Sequence, residues 1–201
     1  MPKPLKDYVK QVLAEHDRGD KIREAFDYTI KVVKEMPLTA TCRRKSTIRA
    51  IFWEIAVAKL IELTAGDPGL HRVDHHDTVS FIFDQAVLVR LKKASMSLHT
   101  SNYPTPTATL FDDHDADLFG FTGIQRVEAV YIPNRFESAV IWSGIVAHDI
   151  AGSELWHFEF EAPTVAPTAT IPVPVHPPAG DLAKIKTHAK GTKKKPNENG
   201  G

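Results

Sequence analysis

The chain has 201 residues, 42% hydrophobic and 25% charged, and its 25 Lys and Arg balance 25 Asp and Glu to a formal net charge of zero. A single cysteine, Cys42, excludes an intrachain disulfide scaffold and a thiolate-rich zinc site. The most apolar stretch, Ile48 to Leu63, is broken by Glu54, Lys59 and Glu62, which argues against a membrane span, and the N-terminus lacks the apolar run of a secretory signal. A reduced, cytoplasmic compartment is expected, and attraction to nucleic acid must come from a local patch, not from net charge.

Leu5, Tyr8, Val9, Val12 and Leu13 recur at the spacing of one buried helical stripe. Arg18-Gly19-Asp20 is expected to interrupt it. Ile22, Ala25, Phe26, Ile30 and Val33 then line one side of a second helix, which ends at Met36-Pro37 because the residue before proline is pushed out of the helical region. A third helix is expected to start at Ser46 or Thr47, both suitable N-caps, and to run to Thr64 as the central core helix. Gly66-Asp67-Pro68-Gly69 stops it.

The period then becomes extended. Thr78 to Phe83 and Ala86 to Leu91 predict two strands of a hairpin turning at Asp84-Gln85. Ala94 to Pro106 and Asp112 to Asp117 read as loops. Arg126 to Ile132, Ala139 to Val146 and Leu155 to Phe160 predict three further strands. The expected fold is α+β: N-terminal helices on a mainly antiparallel sheet of about five strands, within residues 4–161. Residues 162–201 begin with alternating Pro, Thr, Ala and Val and end with six lysines against Asp181 and Glu198, which predicts an extended Pro-rich arm and a disordered basic tail.

Three constellations could carry chemistry. His71, Asp74, His75, His76 and Asp77, with Asp112, Asp113, His114, Asp115 and Asp117, are metal-ligand types. Their spacing matches no metal motif, and neighbours on an extended chain point opposite ways, so polar loops are expected and no metal site is assigned. Glu54, Asp84 and Lys92 follow the chain order of a restriction-endonuclease-like site, in which carboxylates hold Mg²⁺ or Mn²⁺ and a lysine stabilises the attacking oxygen. Arg90 stands where the second strand carboxylate belongs, so such a site would be degenerate, and Asp84 is equally a turn residue. Finally, Arg43, Arg44, Lys45 and Arg49 cluster at the start of the third helix. Arg90, Lys92 and Lys93 leave the hairpin, and Asn102 follows beside Ser101 and Tyr103. Cations with hydroxyl and amide groups suit phosphate, so Arg43, Arg44, Arg90, Lys92, Lys93 and Asn102 are the candidate RNA- or DNA-binding residues. Trp53, Trp142 and Trp156 are expected to pack in the core.

The order of Arg43-Arg44-Lys45-Ser46-Thr47-Ile48, Val87-Leu88-Val89-Arg90-Leu91-Lys92-Lys93, Ser101-Asn102-Tyr103-Pro104-Thr105, Gly120-Phe121-Thr122-Gly123 and Ile141-Trp142 resembles a group of small bacterial and phage proteins. These are encoded beside helix-turn-helix regulators carrying an ImmA/IrrE-type metallopeptidase domain. The resemblance implies a mobile-element or toxin–antitoxin-like setting and a regulator protein as a possible partner; it implies no reaction. A pure protein-interaction module, offering a sheet edge after Arg126, is a third expectation.

Overall fold

The computed structural model describes residues 4–37, 41–75, 78–100, 106–114, 118–120 and 123–161. Asn102 and the arm and tail expected over 162–201 lie outside them. Helices α1 (Lys6–Ala14), α2 (Arg18–Glu35) and α3 (Lys45–Thr64) come first. Strands β1 (Leu70–His75), β2 (Thr78–Phe83) and β3 (Val87–Lys93) follow. A short helix α4 (Pro106–Asp112) precedes β4 (Gln125–Pro133), β5 (Val140–His148) and β6 (Glu154–Glu159).

The chain is α+β, with one six-stranded sheet in the order β1-β2-β3-β4-β5-β6. All neighbours are antiparallel except β3 and β4, which run parallel from Val87↔Gln125 to Lys93↔Tyr131. Five strands were expected; the sixth is β1. Its sequence LHRVDH is mainly polar, with three residues exposed and three half-buried, so it carries no apolar alternation. It is held by backbone pairing to β2 over six residues, from Leu70↔Phe83 to His75↔Thr78.

The expected helix break at Arg18-Gly19-Asp20 falls earlier. Glu15–Asp17 form a 3₁₀ turn in which His16 and Asp17 take positive φ, and Arg18 opens α2. Gly19 costs little there, because amides of a first helical turn have no intrahelical partner to lose. Arg18 is fully buried. Its Nε donates to Asp67 Oδ2 at 2.6 Å and its Nη2 to Asp67 Oδ1 at 2.9 Å. Nη1 and Nη2 also bond Asp84 in the β2–β3 turn, and Nη1 donates to the Val12 carbonyl at 2.9 Å. One guanidinium thus joins α1, α2, the α3–β1 loop and the hairpin. Gly69 is obligatory beside it: a Cβ there would sit 1.9 Å from Asp84 Oδ1.

Asp84 and Gln85 both have positive φ (52° and 55°), and Ala86 N–H bonds the Phe83 carbonyl, which makes the expected hairpin a type I′ turn. Alternation along the strands then divides the sheet into two faces. Phe81, Phe83, Val87, Val89, Leu91, Val127, Ala129, Tyr131, Ile145 and Ala147 meet α1, α2 and α3 in the main core. The other face, with Ile82 and Leu88, is covered by the β3-to-β4 crossover through Phe111, Leu118 and Ile124. Among the described residues no helix is long and apolar enough to cross a membrane.

Candidate functional site

On the helical side of the sheet, β2 parts from β3. They pair only over Phe81↔Val89, Ile82↔Leu88 and Phe83↔Val87, whereas β2 stays with β1 to His75↔Thr78 and β3 continues beside β4 to Lys93. Under α3 the split opens a cavity of about 460 Å³. Arg49, Phe52, Trp53 and Ala56, at the i, i+3, i+4, i+7 spacing of one helix face, form its roof; Val79, Leu91 and Tyr131 are among its sheet-side walls, and Glu54 also lines it.

Tyr131 is 7% exposed. Its ring stacks on Phe52 with centroids 4.1 Å apart and tilts against Phe26 at 5.2 Å. Burial, with the Glu137 charge, holds its phenol above the usual range; like any phenol it is a hydroxyl donor at neutral pH. Its hydroxyl has no hydrogen-bond partner among the described residues, and neither does the indole N–H of half-buried Trp53.

The cavity runs into a smaller crevice that shares Arg49, Phe52, Lys93 and Tyr131 and adds Ile48, Pro133 and Glu137. Here Lys93 Nζ lies 2.6 Å from Glu137 Oε1. Burial would raise the Glu137 carboxyl; the Lys93 bond and the charges of Lys93, Arg49 and Lys45 outweigh it and hold the carboxyl below its usual range. Exposed Arg43 and Arg44 lead into α3, and exposed Arg135 and Phe136, the latter 83% exposed, precede Glu137 on the β4–β5 turn. The result is a basic end beside an aromatic cavity.

The structure divides the candidate nucleic-acid residues. Arg43, Arg44 and Lys93 belong to the basic end. Arg90 and Lys92 do not: both reach the lining of the cavity where β2 parts from β3, but they share the parity of Leu88, and the Arg90 side chain, 6% exposed, lies against Phe111 of the crossover. Glu54 and Lys92 both line the cavity, but Asp84 does not join them. Asp84 is bonded to Arg18 in the hairpin turn at the other end of β3 from Lys92, with Val87 to Lys92 alone spanning about 16 Å of strand. His71, Asp74 and His75 lie along the exposed β1, where Asp74 pairs with Arg72 at 2.9 Å; His76, Asp77, Asp115 and Asp117 lie outside the described residues. Among the described residues no group of three or more His, Cys, Asp or Glu is placed to hold a metal ion.

A second polar assembly, not expected from the sequence, sits between the sheet and the crossover. Thr100 Oγ1 donates to Glu128 Oε2 at 2.6 Å, and His148 Nδ1 lies 3.3 Å from the same oxygen. Arg90 stacks over Phe111 at 4.2 Å and donates from Nε to Ser80 Oγ at 3.2 Å. Arg126 Nη1 donates to the Leu110 carbonyl at 2.7 Å, and His114 Nε2 pairs with the His148 carbonyl at 2.8 Å. Burial, then Glu128, pushes the Asp112 carboxyl up to about 6. Burial opposes the charged forms of Glu128 and His148, but their mutual bond, with Thr100 on Glu128, keeps the carboxyl low and the imidazole high. Glu128 is 1% exposed. Thr100, Glu128 and His148 satisfy one another and tie the crossover to the sheet, which reads as a fastening, although Arg90 Nη2 is buried there with no hydrogen-bond partner among the described residues. Period-2 reading could have found it: Arg90, Lys92, Arg126 and Glu128 are the same-parity polar residues of two otherwise apolar strands.

Comparison of the chain with protein-family models, with curated proteins and with solved structures finds no match.

Proposed function

We propose that the basic end binds the phosphate backbone of a nucleic acid. The observation that carries this reading is the convergence of Lys45 and Arg49 from α3 with Lys93 from β3 around one carboxylate, Glu137. A chain of zero net charge has no general pull on polyanions, so a local excess of cations drawn from distant segments is an electrostatic feature to be explained. Arg43, Arg44 and Arg135 extend it. Cations of this kind position a backbone without reading sequence.

The test is a gel shift of labelled RNA and DNA at stepped salt. Affinity is expected to fall steeply with salt, and Lys45→Ala with Arg49→Ala to weaken binding at least about tenfold at low salt. No shift with either polymer at low salt overturns the reading. The mobile-element or toxin–antitoxin-like setting belongs to the same proposal. It rests on the sequence resemblance alone, and stable co-purification with a helix-turn-helix regulator, without nucleic-acid affinity, would favour a protein partner instead. Because Asp84 is engaged by Arg18 in the hairpin turn and does not join Glu54 and Lys92 at the cavity, the reading is one of binding and not of metal-dependent cleavage.

A further inference from the structure

The cavity under α3 opens onto the basic end through two shared cations, Arg49 and Lys93. Its volume, about 460 Å³, falls within the range of small-molecule sites, and its walls are mainly apolar and aromatic. Its unengaged polar groups are chiefly donors. The Tyr131 hydroxyl and the Trp53 indole N–H have no hydrogen-bond partner among the described residues. Glu54 is the one acidic side chain in the lining. A complementary occupant is therefore flat, offers acceptor atoms, and is attached to an anion that can lie against Arg49 and Lys93. A nucleobase fits each term: its ring nitrogens and carbonyls accept, its face stacks on an aromatic side chain, and its phosphate is one sugar away.

We propose that the cavity receives a single unstacked base of the bound strand, so that the protein recognises single-stranded nucleic acid. This inference rests on the nucleic-acid reading above. A duplex keeps its bases stacked and turned inward, and could offer the basic end only phosphates. Apolar walls without the free donors would suit any hydrophobic group, and the basic end without the cavity would not separate single from double strands. Tyr131 and Trp53 supply what phosphate contacts lack.

The test compares three probes at equal length and salt: a labelled single strand, the same strand in a duplex, and the same strand with several abasic positions. The intact single strand is expected to bind at least about tenfold tighter than either of the others. Trp53→Ala is expected to remove most of that preference, a loss of roughly 5- to 150-fold from one lost base stack. Tyr131→Phe deletes a single oxygen and guards against a misfolded Trp53→Ala; it should lower single-strand affinity several-fold. Equal binding of all three probes, with neither variant changing their ratio, overturns the inference while leaving phosphate binding intact. Failure of every probe to bind overturns the underlying reading together with it.

Discussion

Lys93 Nζ and Glu137 Oε1 lie 2.6 Å apart, and this ion pair joins the end of β3 to the β4–β5 turn at the junction of the cavity and the basic end. Glu137 is the acid that partly neutralises the surface proposed to meet phosphate. Removing its charge frees Lys93 and raises the local potential. Glu137→Gln is expected to tighten oligonucleotide binding about two- to tenfold at low salt, an effect that salt should erase. The pair is partly exposed, and such a pair contributes about 1 kcal/mol or less to stability, so the urea midpoint should barely move.

Arg18 is the opposite case. Both it and Asp67 are withdrawn from water, so deleting one charge strands the other. Arg18→Met is expected to destabilise the fold by about 3–5 kcal/mol in urea unfolding, far more than any surface cation. Gly69→Ala should also destabilise, because its Cβ would fall on Asp84 and Arg18 and loosen the same junction.

The fastening of the crossover predicts a pH dependence. His148 is raised in the folded state, so its stabilising contribution is complete below the unfolded imidazole value, about 6.5, and is lost as pH rises through the folded value. Glu128 is lowered, so its contribution is present above the ordinary carboxylate range and lost as pH falls through the folded value. The urea midpoint is expected to decline as pH rises above about 6.5, and His148→Gln to flatten that decline. A decline unchanged in the variant would remove His148 as its cause.

Asp112 works against the same assembly at neutral pH. Its carboxyl, pushed up to about 6 by burial and by Glu128, is ionised above that value in a place that disfavours the charge. Stability is therefore lost as pH rises from the unfolded carboxylate value toward 6. Asp112→Asn is expected to stabilise the protein at pH 8, by about 1 kcal/mol, and to have little effect at pH 4.

Much of this fold was legible because its elements bury apolar stripes. Val9, Val12 and Leu13, then Ile22, Ala25, Phe26, Ile30 and Val33, all lie in the main core at the helical spacing that announced them. The Asp84-Gln85 turn was legible from the apolar runs on either side. β1 was not, since an edge strand can be held by backbone bonds without burying side chains, and LHRVDH has few to bury. The short α4 was hidden in a Pro- and Thr-rich stretch. The break before α2 was misplaced because Gly19 looked like a stop, whereas burial of Arg18 requires helix there. At the site, Arg43, Arg44, Arg49 and Lys93 were visible as cations, but Arg90 and Lys92 were grouped with them although strand alternation separates Lys92 from Lys93 by a full face. Tyr131 could not be found in advance. It sits in a strand like any core aromatic, and only the parting of β2 from β3 turns it into a cavity wall.

The most direct test of phosphate binding at the basic end is the slope of log affinity against log salt for a single-stranded oligonucleotide between 50 and 200 mM, a range over which multi-phosphate contacts are strongly weakened. It should be measured for the parent chain and for Lys45→Ala with Arg49→Ala. The expected result is a steep linear fall for the parent and a slope shallower by roughly 1.4 in the double variant, about 0.7 for each lost phosphate contact. Absence of binding at 50 mM, or a slope that the double variant leaves unchanged, would contradict it.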